Sequence, residues 1–307
     1  MNNTVLKTRN LTKKYNRHLA VDNASIEIKQ GDIFGLVGKN GAGKTTLLRM
    51  ITGLTMPTNG EIELFEETSS EGLNKSRMRT GSIIETPSFF PYLSARKNLE
   101  YYRIQRGIVE KNAVEEALKL VGLQDTGNKK FKNFSLGMKQ RLGLALAVMA
   151  SPDMLILDEP INGLDPTGIV EFRDILLRLN RERNITIIIS SHILTELAQL
   201  ATCYGFINEG RFIEQVSASE LQEKCRSSIS VKVDSTEKAS AIIEKKLGST
   251  RYEVLNGNEI RIFEHIDKPE VVAEALVNSG VKLYSLNQLG ANLENYFIDL
   301  IGGNKHV

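Results

Sequence analysis

Between an apolar run and an amphipathic one lies Gly38-Lys39-Asn40-Gly41-Ala42-Gly43-Lys44-Thr45, a segment that few folds can use. It fits the pattern GxxxxGK[ST]. Ile33 to Val37 ahead of it reads as a short buried strand. Lys44 to Thr52 behind it carries Leu47, Leu48 and Ile51 at helical spacing. Glycines in such a loop let successive backbone N–H groups curl around phosphate oxygens, and the helix that follows adds the partial positive charge of its N-terminus. Lys44 is placed to reach the β- and γ-phosphates of a nucleotide, and the Thr45 hydroxyl to ligate Mg²⁺. Gly38, Lys39, Asn40, Gly41, Ala42, Gly43, Lys44, Thr45 and Thr46 are therefore the expected phosphate-binding residues.

A second segment, Met154-Leu155-Ile156-Leu157-Asp158-Glu159, is an apolar strand ending in two carboxylates. Beside a phosphate loop, an Asp at a strand end holds Mg²⁺, and the adjacent Glu can polarise a water for attack on the γ-phosphate. An exposed turn would account for an isolated Asp-Glu pair. The apolar run and the phosphate loop upstream favour the catalytic reading. His192 follows another buried-type strand, Ile185 to Ile189. It could bond the γ-phosphate and position that water; the alternative is a satisfied surface histidine. No Asn-Lys-x-Asp follows, so the guanine-reading device of GTPases is missing and adenine, or loose base selectivity, is favoured. Asp165-Pro166 reads as an N-cap followed by Pro in the first helical position, which explains Asp165 locally and leaves a functional role open beside it.

Up to about Gln215 strands and helices alternate. A helical stretch is expected from about Leu93 to Val121 and another from the N-cap Ser135 to Ala150. An amphipathic helix with Ile169, Phe172, Leu176 and Leu179 on one face separates the two buried-type strands. This alternation predicts an α/β fold with a mainly parallel sheet and helices on both faces. Beyond Gln215 the pattern changes to strand Ile229–Val233, helix Thr236–Leu247, strand Tyr252–Leu255, an Asn256-Gly257 hairpin turn and strand Glu259–Phe263. A helix from Pro269, with Asp267 and Glu270 at capping-box spacing, precedes a strand at Val281–Leu286 and a last helix near Leu293–Ile301. The order βαββαβ resembles a split-βαβ module. The expected domains are residues 1–215 and a small α+β domain, 216–307, in keeping with about 150 residues per domain.

Composition removes several function classes. Lys and Arg number 39 against 37 Asp and Glu, a net charge of +2, so no global field favours nucleic acid or an anionic membrane. The basic stretch Lys129-Lys130-Phe131-Lys132 reads as a solvated loop. Cys203 and Cys225 are the two cysteines; they are too far apart for a CxxC pair, and a reducing cytosol suits them. Met1-Asn2-Asn3-Thr4 lacks the basic-then-apolar pattern of a secretion signal. No apolar run approaches the roughly 18 residues of a membrane span.

Phe134-Ser135-Leu136-Gly137-Met138-Lys139-Gln140-Arg141, just upstream of the Asp-Glu strand, resembles the signature motif of ABC transporter ATP-binding subunits. The order of phosphate loop, signature, Asp158-Glu159, Gly163-Leu164-Asp165 and Ser190-Ser191-His192 is similar to that family from about residue 4 to 215. The resemblance implies a P-loop ABC-type ATPase cassette with a mixed sheet and a helical subdomain at about 86–150. It further implies a dimer, of two copies or with a second ATPase subunit, in which each ATP lies between one phosphate loop and the other chain's signature helix. Ser135, Gly137 and Met138 would then act in trans, Asp165 at the dimer contact, and Tyr15 as the aromatic stacked on adenine. A buried strand tyrosine is the competing account of Tyr15. Ser135 and Gly137 open a helix, so their N–H groups and hydroxyl suit a γ-phosphate from another chain; a plain N-cap and a packing glycine are the competing account. The expected partner is an integral membrane permease, with the chain peripheral on the inner face of the cell membrane.

Most members of that family carry glutamine where Gly81-Ser82-Ile83-Ile84 leads to Glu85, and in the signature Leu136 replaces the first of two glycines and Met138 a glutamine. These departures resemble the ATP-binding subunits of exporters for bacitracin and lantibiotic-type peptides. Glu85 is expected to ligate Mg²⁺ alongside Thr45 and Asp158. Phe89, Phe90, Tyr92, Tyr101 and Tyr102 are either the core of the helical subdomain or an apolar patch suited to a membrane-embedded partner. The alternative functions are the same engine with a lipid or drug as cargo, and a soluble mechanical ATPase. A single cassette without a long heptad run disfavours the latter.

Overall fold

The computed structural model describes residues 4–85, 88–225, 227–289 and 293–302. The chain divides into two compact units, Met1–Ala218 and Ser219–Val307. The first opens with strands β1 (Thr4–Tyr15), β2 (His18–Ala24), β3 (Glu27–Lys29) and β4 (Ile33–Val37), then α1 (Lys44–Ile51). Next come β5 (Asn59–Leu64), α2 (Ser70–Met78), β6 (Thr80–Ile83), α3 (Ala95–Gln105), α4 (Ala113–Leu120) and α5 (Leu136–Val148). It closes with β7 (Met154–Asp158), α6 (Pro166–Arg183), β8 (Thr186–Ser191), α7 (Leu194–Leu197), β9 (Cys203–Asn208) and β10 (Arg211–Ser217), before α8 (Ala218–Lys224).

The large sheet runs β3-β1-β2-β10-β9-β4-β8-β7-β6, with β5 also paired to β1. Its β9-β4-β8-β7-β6 half is parallel, and the β5-β1, β1-β2 and β9-β10 pairs are antiparallel, so the sheet is mixed. Every residue of β4 and β8 is buried, as are Met154 to Leu157 of β7. Continuous apolar strands of this kind need cover on both faces. Leu47, Leu48, Met50 and Ile51 of α1 supply it on one side, packed in a core with Phe34, Leu36, Ile156 and Ile188.

Register decides what these strands carry at their ends. Val37 lies beside Ser191 and Asp158 beside Ser190. Parallel pairing therefore brings the loop after β4, the carboxylates after β7 and the serines ending β8 to one edge. That carboxyl edge is where open α/β sheets bind ligands.

The helical stretch expected from Leu93 to Val121 is two helices. Between α3 and α4 the backbone turns at Gly107, with φ 65°; an L side chain is costly there, so the periodic pattern breaks. Asn98 is fully buried in α3. Its Oδ1 accepts from Phe90 N at 2.8 Å, and its Nδ2 donates to Phe90 O at 3.2 Å and Ser94 O at 3.1 Å. The aromatic group is divided by this arrangement. Phe89 is buried, with its ring centroid 5.1 Å from Phe131, while Phe90, Tyr92 and Tyr101 are exposed. Both cysteines are free, and burial pushes the Cys203 thiol up to about 12, which keeps it protonated and unreactive.

The second unit carries β11 (Ser228–Val233), α9 (Thr236–Leu247), β12 (Tyr252–Leu255), β13 (Glu259–Ile262), α10 (Pro269–Val277), β14 (Leu283–Leu289) and α11 (Leu293–Gly302). Its antiparallel sheet has the order β12-β13-β11-β14. Ile229, Val231, Ile260 and Ile262 pack against Ala239 and Ile243 of α9 and Val272 and Leu276 of α10. The Asn256-Gly257 hairpin forms as expected, with Gly257 at φ 83°. Two expectations fail locally. Asp267 does not cap α10: the cap position is Lys268, whose N–H donates to His265 O at 2.9 Å, and no side chain caps that helix. Val281 is not in the last strand because its N–H turns back to Leu276 O, so β14 starts at Leu283.

Asn98→Ala is expected to destabilise the protein by about 1–2 kcal/mol, since it removes the acceptor for Phe90 N–H and one of the two donors to each of the Phe90 and Ser94 carbonyls. A lowered urea midpoint with unchanged far-UV circular dichroism would bear this out, and an unchanged midpoint would refute it.

Candidate nucleotide-binding site

A cavity of about 500 Å³ opens at the carboxyl edge of the large sheet, lined by Tyr15, His18, Ala20, Asn40 to Thr46, Glu85, Asp158 and Glu159. Gly43 is the cap of α1 at φ 107°, and a Cβ there would stand 2.5 Å from Ala20 O. Only glycine fits. A Cβ on Gly38 would likewise meet Ile207 O at 2.5 Å. No side chain caps α1 and none of its first-turn residues is acidic. Its leading N–H groups are therefore left for an anion in the cavity.

Lys44 is 4 % exposed. Its ammonium donates to Gly38 O at 2.7 Å and Lys39 O at 3.2 Å and lies 3.0 Å from Glu159 Oε1. The Thr45 hydroxyl donates to Asp158 Oδ2 at 2.6 Å, and the Ser190 hydroxyl donates to Asp158 Oδ1 at 2.6 Å. Ser190 Oγ also accepts from Glu159 N at 2.9 Å. Glu159 turns the chain at φ 45°, and its Oε2 accepts from Asn162 Nδ2 at 3.3 Å. His192 Nδ1 is 3.3 Å from Glu159 Oε2 but off the line of a hydrogen bond. Lys44, Thr45, Asp158, Glu159 and His192, distant in sequence, thus form one cluster. Ser190 and Asn162 belong to it and were not assigned from the sequence. The signal for Ser190 was its place at the end of an apolar strand beside the motif histidine.

Tyr15 is 42 % exposed on the cavity wall, so the account of it as a buried strand tyrosine fails. The Lys13 ammonium sits 5.0 Å from its ring centroid. Glu85 also reaches the cavity wall, where its carboxylate pairs with the Arg49 guanidinium. Ser135, Gly137, Met138 and Asp165 do not line the cavity. Ser135 caps α5, its Oγ accepting from Met138 N at 3.3 Å, and Asp165 caps α6, accepting from Gly168 N at 3.0 Å.

For Mg²⁺ the donor set suits a metal that arrives with its own phosphate oxygens. Thr45 and Asp158 offer a hydroxyl and a carboxylate already in contact. Among the described residues no group of three or more His, Cys, Asp or Glu could cage an ion alone. Mg²⁺ characteristically takes one or two protein oxygens plus phosphate and water.

The ABC transporter family profile matches residues 21–162. The bacitracin transport ATP-binding protein BcrA of Bacillus licheniformis is 43% identical over 98% of this chain and 98% of its own. The lantibiotic transport ATP-binding protein SrtF of Streptococcus pyogenes is 43% identical over 68% of this chain and 89% of its own. The chain belongs to the ATP-binding subunits of ABC transporters. Among solved structures, the dimeric post-hydrolysis state of the ATP-binding cassette MJ0796, bound to ADP and Pi, matches with a TM-score of 0.63 at 25% identity. That match covers 69% of this chain and 98% of the other. The cassette is an ATPase with the fold of that family, and ATP is its nucleotide. Among the described residues no helix is long and apolar enough to cross a membrane.

Lys44→Ala should abolish tight ATP binding, because the phosphates lose the buried cation of this loop. Calorimetric titration with ATP checks this, and near-wild-type affinity would show that the cavity is not the site.

Proposed function

We propose that this cassette powers a separate integral membrane permease that exports a peptide antibiotic of the bacitracin or lantibiotic type, working from the inner face of the cell membrane. The supporting observation is the 43% identity to a bacitracin transport ATP-binding protein over 98% of both chains. That match extends through the second unit, which a cassette shared by all cargoes would not require.

In this reading ATP stacks its adenine on Tyr15 and lays its phosphates over Gly38, Lys39, Asn40, Gly41, Ala42, Gly43 and Thr46. Lys44 exchanges Glu159 for the β- and γ-phosphates. Glu159, released from the ammonium, becomes free to take a proton from the attacking water, and His192 holds the γ-phosphate and that water in line. Thr45 and Asp158 are the residues that would hold Mg²⁺, and Ser190 fixes the Asp158 carboxylate for that task; the Glu85 carboxylate, expected as a third ligand, is engaged by Arg49 instead. Bound there, the ion supplies charge neutralisation across the β- and γ-phosphates.

The partner half of the site comes from a second cassette, a copy of this chain or a related ATPase subunit. Ser135 caps its helix by accepting a hydrogen bond, which leaves its own O–H proton free to donate to a γ-phosphate. A Cβ on Gly137 would meet only Leu164 Cδ2, at an ordinary 3.8 Å. Packing within the chain therefore does not demand glycine there, whereas close approach of a phosphate would. Met138 and Asp165 complete the facing surface. The exposed rings of Phe90, Tyr92 and Tyr101 suit contact with the permease.

Gly137→Ala should leave folding stability unchanged or raise it by up to about 1 kcal/mol, since alanine is the better helix former. ATPase activity should fall at least tenfold. Equal activity in the variant would remove Gly137 from the site. The cargo is tested by expressing the chain with its permease in a sensitive host. A rise in the bacitracin or lantibiotic concentration tolerated, lost with Glu159→Gln, is the expected outcome. Unchanged tolerance to both peptides, with the complex assembled in the membrane, would exclude this cargo.

A further inference from the structure

The cavity wall that has to accept a triphosphate carries the carboxylates of Asp158, Glu159 and Glu85. Two of them are compensated inside the cluster, Asp158 by two hydroxyls and Glu159 by Lys44. Glu85 is compensated from outside it, by Arg49. Arg49 follows Thr45 by one helical turn on α1, so both project from the same face. One side chain meets Asp158 and the other meets Glu85. We propose that Arg49 is a positioning residue for the ATP site: by pairing with Glu85 it cancels the charge of a carboxylate that would otherwise oppose the nucleotide phosphates.

The alternative role for Arg49 is purely local. It lies in the last turn of α1, where a cation favours the helix dipole. That role would be indifferent to what stands at position 85. Nor would fold stability reveal the pair, because its side chains are 36% and 65% exposed and such contacts add little to folding. What the pair alters is the field in the cavity. Removing Arg49 leaves a lone anion on the wall, and removing Glu85 makes Arg49 dispensable. Arg49 and Glu85 are thus expected to act on nucleotide affinity as a unit.

The inference rests on the reading of the cavity as the ATP site, and the experiment separates the two. ATP is titrated calorimetrically into the full chain and its Arg49→Gln, Glu85→Gln, double and Lys44→Ala variants, at fixed Mg²⁺ and at low and high salt. Arg49→Gln should weaken ATP binding by roughly 3- to 10-fold at low salt, the range for one partly screened charge, and by less at high salt. Glu85→Gln should not weaken it, and in the double variant the loss should vanish. An equal loss with and without Glu85, or no loss in either background, overturns the proposal. Should Arg49→Gln fail to fold, Arg49→Lys is expected within about twofold of wild type, and a double variant weaker than Glu85→Gln alone overturns the pair. Undiminished binding by Lys44→Ala would instead remove the ATP site itself, a failure distinct from a failed rescue.

Discussion

A lysine ammonium shut away from water must find acceptors, and much of this molecule is arranged around the ones Lys44 finds. Two are carbonyls of its own loop, Gly38 and Lys39, and one is the Glu159 carboxylate. A buried charge without such partners would cost several kcal/mol. The loop must therefore curl back on itself, which only glycine permits at Gly43, where a side chain would collide with the Ala20 carbonyl. The same curl turns the leading N–H groups of α1 outward. One packing problem, the burial of a cation, thus has a solution that is also an anion site.

That solution depends on the sheet. Glu159 can reach Lys44 only because β7 lies one strand from β4, with β8 between them. The parallel register of all three sets Asp158 beside Ser190 and Val37 beside Ser191. Buried apolar strands cannot slip by one residue without turning their side chains over. The core of Phe34, Leu36, Ile156 and Ile188 therefore holds the chemistry in place as well as the fold. Below the site, Thr45 and Ser190 clamp both oxygens of Asp158, so this carboxylate is oriented before any ligand arrives.

Much of this was legible in the sequence because the motifs are local. The phosphate loop, the strand ending in Asp158-Glu159 and the caps Ser135 and Asp165 each declare themselves within a few residues, and all form as expected. Failures occurred where a distant contact decides. The break at Gly107 hides inside an amphipathic pattern that continues on both sides of it. Asp267 has capping-box spacing, but a turn closed by His265 O puts Lys268 at the cap. The aromatic group could not be divided into core and surface from spacing alone, since Phe89 is buried by Phe131 from another segment. For Ser190 the strand-end place beside His192 is local, but its role as the partner of Asp158 comes from the register of β8 against β7.

The departure at Glu85 shows how such a cavity tolerates an added charge. The Glu85 carboxylate raises the negative charge of a wall already carrying Asp158 and Glu159. A change of this kind would be expected to weaken phosphate binding unless a cation answered it. The cation present is Arg49, four residues beyond the threonine that holds Asp158, on a helix whose start is fixed by the phosphate loop. Arg49 therefore hangs from a rigid element, while Glu85 lies two residues past the end of β6. A cation placed on a free loop could wander from its partner; Arg49, placed on α1, is held to the geometry that the buried Lys44 already dictates.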